Sequence, residues 1–451
     1  MWNCYHATLR KPQIAMIQSL KNIAAFDEVL RRPRILYPRL RKFLADSERW
    51  GCDQLESWLE KRLHVVLTAA QGLPAYTHRA SAEKFSQWPA LVKSDVANHE
   101  NDFVRKGVLP SYRASTGGTT GVPLKLRRSL ISVVMEQATI DHICTKAGLD
   151  LPRAKLAVLR GDFIKPPSDM SPPHWKSITN RKMVFSSFHL SRSTIGAYIS
   201  ALRTFAPDVI WCYPSSLQQL IGLIQESEQH IRVPFILSSS ERLTNDTVAA
   251  ARRILGSRVI DYYGQAERVA FAYAMDDGGY RFIPIYGVPE LVQNSEDNAR
   301  IRGTSLWNLR QIFVRYETGD LALVDGEGMK HRREVELGLR AFSGIDGRTS
   351  ERIDLPDGRR VIGLNHIPRG VPKIVSVQLR HTEPNTVEAY VVPLDGFGPE
   401  AELVLRRNFY AKFPSNIDLH IRKVLAPVRT SSGKAPLLLP GSIVTPPTQA
   451  T

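Results

Sequence analysis

Cysteine is scarce in this chain: four in 451 residues, Cys4, Cys52, Cys144 and Cys212, with no CxxC pair and no histidine beside them at ligand spacing. That pattern excludes a zinc knuckle or a disulfide framework. It fits a reducing, cytoplasmic setting in which the thiols serve as small buried hydrophobes. No run reaches the ~18 consecutive apolar residues of a membrane span. The segment MWNCYHATLRKPQIAM also lacks the basic stretch and long apolar core of a secretory leader. A GK[ST] ending and an HRD-like loop are both missing, which argues against conventional phosphotransferases. Helix-turn-helix patterns, zinc-finger spacing and aromatic RNA-binding signatures are missing too, so no nucleic-acid partner is expected. There are no internal repeats.

What is present is ordinary in bulk and lopsided in charge. A hydrophobic content of 43% is enough for a sizeable core, and the length suits one large and one small domain. The net charge is +16. Residues 1–50 hold ten Lys/Arg against four Asp/Glu, concentrated in RRPRILYPRLRK from Arg31 to Lys42. Such a face can dock on a membrane surface or another acidic surface, or simply be solvated with its Arg stems packed on apolar neighbours.

Residues 1–110 read as mainly helical, from apolar spacing of three and four in IAMIQSLKNIAAFDEVL and CDQLESWLEKRLHVVLTAAQGL. From Ser111 onward, LKLRR, KLAVLRG, DVIWCYP, PFILSSS and SRVIDYYG read as strands. They alternate with helices in STIGAYISALRTFA, SSLQQLIGLIQESEQ and TNDTVAAARRILG, the last capped by Thr244 or Asn245 and stopped by Gly256. The expected class is α/β: a large domain of mixed, largely parallel sheets with helices, followed by a small α+β C-terminal domain. RQIFVRYET and LALVDGEG read as antiparallel strands. The core of the large domain spans 111–347, the small domain 348–440, and residues 441–451 read as a disordered tail.

Chemistry concentrates in five segments. STGGTTGVP, Ser115 to Pro123, combines glycines that allow close backbone approach with the hydroxyls of Ser115, Thr116, Thr119 and Thr120, a suitable cradle for polyphosphate or a plain flexible turn. YYGQAE puts Tyr263 and Gly264 just before Glu267, a hard oxygen ligand for Mg²⁺. YETGD places Asp320 in a turn where it can accept ribose hydroxyls. DGRT offers Arg348, and RTSSGK sets Lys434 on a Gly-containing loop. Aromatic residues at Phe188, Trp211, Tyr213 and Tyr262 suit a compact acid or ordinary core. His189 and His366 are expected to be structural.

In this order and spacing, the segments from about Arg113 to Lys434 resemble the adenylate-forming acyl-CoA synthetases. The nearest likeness is to the phenylacetate–CoA ligase branch, with the CapK proteins of capsular polysaccharide biosynthesis. The resemblance implies an AMP-forming acid ligase that uses ATP and Mg²⁺. It would make an acyl-adenylate and pass the acyl group to CoA or to another thiol, amine or sugar hydroxyl. It also implies roles. Ser115, Thr116, Gly117, Gly118, Thr119 and Thr120 would wrap the phosphates. Tyr263 would stack on adenine beside Gly264, with Ser239, Ser240 and Glu241 lining the nucleotide pocket. Glu267 would bind Mg²⁺, Asp320 the ribose with Arg348, and Lys434 the α-phosphate and substrate carboxylate. Two positions depart from the pattern: Ala266 replaces a threonine, and Ser350, followed by Glu351, replaces an acidic hinge residue. These leave open a second reading, a degenerate member that only binds a nucleotide or a partner.

Overall fold

The computed structural model describes residues 29–77, 84–107, 111–116, 124–276, 278–348, 352–361, 363–430 and 432–440. The glycine-rich stretch 117–123, residues 349–351 with Ser350 and Glu351, Cys4 and the tail 441–451 fall outside them. Two helices open the described chain, α1 (Leu36–Ser47) and α2 (Cys52–Gln71), followed by the hairpin β1 (Ser111–Ser115) and β2 (Lys125–Ser129) and by α3 (Leu130–Lys146). Part of the basic run is spent internally. Arg32 makes a two-pronged ion pair with the fully buried Asp141 of α3, at 2.7 and 2.9 Å, and the Tyr37 hydroxyl donates to the same carboxylate. Arg41 donates to Thr145. A buried carboxylate without these donors would be costly, so they fix α1 against α3.

The centre is an eight-stranded sheet built from β3 (Leu156–Leu159), β4 (Trp175–Thr179), β5 (Lys182–Phe185), β6 (Val209–Cys212), β7 (Phe235–Ser239), β8 (Arg258–Gly264), β9 (Phe271–Met275) and β10 (Arg281–Phe282), in the spatial order β10-β9-β8-β7-β6-β3-β5-β4. The five strands β8-β7-β6-β3-β5 run parallel, and antiparallel strands finish both edges. Parallel neighbours need crossovers, supplied by α4 (Ile195–Phe205), α5 (Pro214–Glu226) and α6 (Asn245–Leu255). The side chain of Thr244 caps α6, and Gly256, at φ +65°, ends it, as the sequence leads one to expect.

Side chains alternate faces along each strand. Val209, Leu237 and Ile260 enter the core under α1–α3, while Ile210, Ile236 and Val259 enter the core under α4–α6. A second sheet, β11 (Gly287–Gln293), β12 (Asn298–Ser305), β13 (Tyr316–Leu323) and β14 (Gly344–Arg348), is wholly antiparallel and packs its inner face on Tyr263, Ala270, Ala272 and Ala274. The small lobe contains the ribbon β15 (Ile353–Asp354) and β16 (Arg360–Val361). Its main sheet is β17 (Ile374–Glu383), β18 (Thr386–Pro393) and β19 (Asp418–Lys423), covered by α7 (Pro399–Tyr410). The α/β architecture with a smaller α+β lobe is therefore as expected.

Three details differ from the sequence reading. YETGD is not a strand end followed by a turn. Asp320 lies inside β13, where Gly319 takes φ +77° and the ladder with β12 shifts register between Glu317 and Leu321. Gln311–Arg315 lies outside any strand. Cys144 and Cys212 are buried as expected, but Cys52 is exposed at the start of α2. No helix among the described residues is long and apolar enough to cross a membrane.

One buried charge sets a pH dependence. Asp261 of β8 is deep in the sheet. Burial pushes its carboxyl up to about 6, against hydrogen bonds such as that from Tyr280. The folded chain thus binds this proton more tightly than the unfolded chain, and stability falls as pH rises from about 4 through 6. Asp261→Asn should be more stable than the parent at pH 8 by about 1–3 kcal/mol. Urea titrations at pH 4, 6 and 8 should show the variant's midpoint nearly level across that window while the parent's declines.

Candidate functional site

In open α/β sheets ligands bind beyond the carboxyl ends of the strands, where the chain reverses its direction of travel across the sheet. Here that point is β3. The chain leaves it for β4 and β5 on one side and returns through α4 to β6 on the other. The residues just past these ends are Arg160 and Gly161 after β3, Tyr213 after β6, Ser240 and Glu241 after β7, and Gln265 to Glu267 after β8. Alternation puts Arg160 on the same face as Trp211 and Tyr262. Its guanidinium lies 4.7 Å from the Trp211 ring centre and 5.3 Å from that of Tyr213. One nitrogen donates to the hydroxyls of Ser239 and Ser240, at 3.2 and 3.4 Å.

The RTSSGK loop of the small lobe sits against this edge. Thr430 and Lys434 close a tight turn through the Thr430 N–H to the Lys434 carbonyl, at 2.8 Å, with Gly433 at φ +78°. Gly433 presses on Gly161, itself at φ +76°. A Cβ on either would overlap the other's Cα, so only two glycines allow the approach. Arg429 reaches from the loop into the first turn of α5. It donates to Gln219 at 2.7 Å, to Ser215 and Ser216 more loosely, and back to the Gly433 carbonyl at 2.8 Å. Burial lowers this guanidinium to about 10. Glu241 completes the clamp, accepting the Ser215 N–H at the start of α5 and the Ala435 N–H of the loop, both at 2.9 Å. A carboxylate there also complements the positive end of the helix dipole. The result is that Lys434 Nζ lies 5.8 Å from the centre of the Tyr213 ring.

The remaining expected residues continue the same rim. Arg242 pairs with Asp346 of β14 at 3.2 Å, and Asn365 of the small lobe donates to the same Asp346 oxygen at 2.7 Å. On the adjoining strand Asp320 stands opposite Arg348 in the ladder and accepts from the Tyr263 hydroxyl at 2.9 Å. Tyr263 is only 8% exposed, so little of its ring face is open to a base. Glu267 accepts from the buried Tyr316 hydroxyl at 2.9 Å. The carbonyl of Ala266 receives two hydrogen bonds from Arg128, at 2.7 and 3.2 Å, which fix the loop holding Gly264 to Glu267. Ser115 and Thr116 stand at the loop end of the β1–β2 hairpin, with Thr116 bonded to Leu124. Gly117, Gly118, Thr119 and Thr120 lie outside the described residues, as does the Arg348 side chain. No cluster of three His, Cys, Asp or Glu side chains suited to a metal occurs among the described residues. His189 is structural: it bonds Ser186 at 2.7 Å and the Pro166 carbonyl, and stacks on His174.

No protein-family model matches the chain, and no curated protein matches it. Solved structures do. A crystal structure of 2-hydroxyisobutyryl-CoA ligase in the postadenylation state, in complex with R3-HIB-AMP, superposes with a TM-score of 0.57 at 15% identity, covering 86% of this chain and 90% of that one. The chain shares the fold of an acyl-CoA ligase. The same ligase with 2-HIB-AMP gives a TM-score of 0.57 at 14% identity with equal coverage. Sequence reasoning missed Arg160, Arg429 and the clamping role of Glu241. Their only sequence signal is position, a charged residue just beyond a strand end or beside the lysine loop.

The two-glycine contact yields a direct test. Gly433→Ala should force the loop away from β3 and loosen the lobes by about 1–3 kcal/mol, the usual cost of overpacking. Small-angle scattering should show a larger radius of gyration than the parent. An unchanged value would mean that the glycine pair does not govern docking.

Proposed function

We propose that the chain activates a carboxylic acid with ATP, releasing pyrophosphate and forming an acyl-adenylate that is passed to CoA or another nucleophile. The observation that carries this reading is Lys434 held over Tyr213 at the carboxyl edge of the parallel sheet, on the rim that also bears Ser239, Ser240, Glu267 and Asp320. The acid's oxygen attacks the α-phosphorus while the bond to the β-phosphate oxygen breaks, and the electron pair leaves with pyrophosphate. No proton transfer and no covalent enzyme intermediate are needed.

Both reactants are anions, so the protein's task is alignment and charge neutralisation. Lys434 would bridge the α-phosphate and the carboxylate. Asp320, oriented by Tyr263, would accept the ribose hydroxyls beside Arg348, and Ser239 and Ser240 would line the base pocket. Glu241 serves there as the clamp that sets the Lys434 loop. The STGGTT loop from Ser115 to Thr120 would hold the outer phosphates. A single carboxylate, Glu267, suits Mg²⁺, which commonly binds one or two protein carboxylates together with substrate phosphates; bound there it supplies further neutralisation.

Within the fold, the phenylacetate–CoA ligase and CapK branch is our assignment from STGGTTGVP, DGRT and RTSSGK. Polysaccharide biosynthesis is the setting it suggests, and 348–440 would be the mobile lobe.

Two variants test the reading by ATP–pyrophosphate exchange over a panel of acids. Lys434→Ala should lower exchange by ~10²-fold or more, the scale of losing one transition-state donor. Parent-like exchange would remove Lys434 from the chemistry. Glu267→Gln should shift the magnesium titration to higher concentration, and an identical titration would reject that ligand. Exchange with no acid at all would favour the degenerate reading that Ala266 raises.

A further inference from the structure

Arg160 has no counterpart in the expected site, yet it is the side chain most centrally placed in the aromatic part of the edge. Its guanidinium rests against Trp211 and Tyr213, and the electrostatics of Tyr262 also reach it. No carboxylate among the described residues lies within ion-pair distance, and Asp162 and Glu136 act only from farther away. One nitrogen holds Ser239 and Ser240. The buried Nε has no hydrogen-bond partner, and no described residue bonds the third nitrogen. An arginine is always protonated, and a partly buried cation hydrogen-bonded only to two serines, with carboxylates acting on it only at longer range, is an incomplete site. Its geometry is that of a fork awaiting an oxyanion.

Which oxyanion follows from the neighbours. The rings around Arg160 are those that would bound the acid, while the small-lobe cation Lys434 approaches Tyr213 from its own loop. The phosphate loop begins at Ser115, on the hairpin, and among the described residues Arg160 donates to Ser239 and Ser240 and not to Ser115 or Thr116. We propose that Arg160 receives the carboxylate of the acid substrate, and that the acid is a compact one whose body lies against Trp211, Tyr213 and Tyr262. This rests on the acid-activating reading above. Arg160 then fixes the nucleophile from the large lobe while Lys434 supplies the cation from the small one. The guanidinium neither gains nor loses a proton in the step.

The test uses the full chain with benzoate, phenylacetate, 2-hydroxyisobutyrate and succinate as probes. Saturation-transfer NMR without ATP reads acid binding alone. Pyrophosphate exchange, with acid and ATP varied in turn, reads the reaction. At least one probe should bind the parent. Arg160→Leu should raise KM for that acid about 10- to 100-fold, the scale of one charge-assisted hydrogen-bonded pair, and leave KM for ATP within about twofold. Arg160→Lys, which keeps the charge, should recover part of the loss, and it carries the test if the leucine variant does not fold.

An unchanged acid KM overturns the proposal, as does a rise in the ATP KM instead, which would make Arg160 a phosphate ligand. No binding of any probe to the parent also overturns it. Probe binding that the parent shows and Arg160→Leu loses, with no exchange in either, supports Arg160 as the carboxylate anchor and rejects the adenylation reading alone.

Discussion

Everything at the site depends on a small lobe seated on the carboxyl edge of a parallel sheet by two glycines and one carboxylate. Gly161 and Gly433 allow a backbone approach that any side chain would prevent. Glu241 draws the start of α5 and the lysine loop together through two backbone N–H groups. Arg429 fills the space beneath with hydrogen bonds to neutral partners. A lysine on a long flexible stem is a poor element of precision. Placed on a five-residue turn fixed from three sides, it becomes one.

The charge arrangement has the same logic. At the edge, where a substrate anion would lie, Arg160 has no carboxylate among the described residues within ion-pair distance. Several cations away from it are ion-paired. Arg32 is bound to Asp141, Arg268 to Glu136, Arg302 to Glu317 and Arg315 to Glu290. The net charge of +16 is therefore not a uniform coat. Part of it is structural pairing. In the proposed reaction between two anions, the Arg160 and Lys434 part would supply a local field, where preorganised positive groups cost no rearrangement during the step.

Much of the frame was legible from local pattern, because period-two runs and helix caps are local physics. DVIWCYP, PFILSSS and SRVIDYYG became β6, β7 and β8, and Thr244 and Gly256 bound α6 as their chemistry requires. Helix α3 was passed over because apolar residues occur nearly all round it, so its periodicity is weak even though most of it is buried. Asp320 was read into a turn because Gly319 looks like a turn residue, whereas the sheet uses that glycine for a bulge against β12. Glu241 could not be understood from sequence, since its partners are 26 and 194 positions away. Arg160 is one of 60 basic residues and becomes distinctive only once β3 lies between β5 and β6.

The central claim is that these separated elements surround one adenosine nucleotide. Crystals soaked with ATP, magnesium and a carboxylic acid address it most directly. The account predicts nucleotide density along the rim from Ser239 to Asp320, with the Lys434 ammonium within hydrogen-bond distance of the α-phosphate. Nucleotide bound elsewhere, or bound on that rim with Lys434 turned away in every copy, would contradict it.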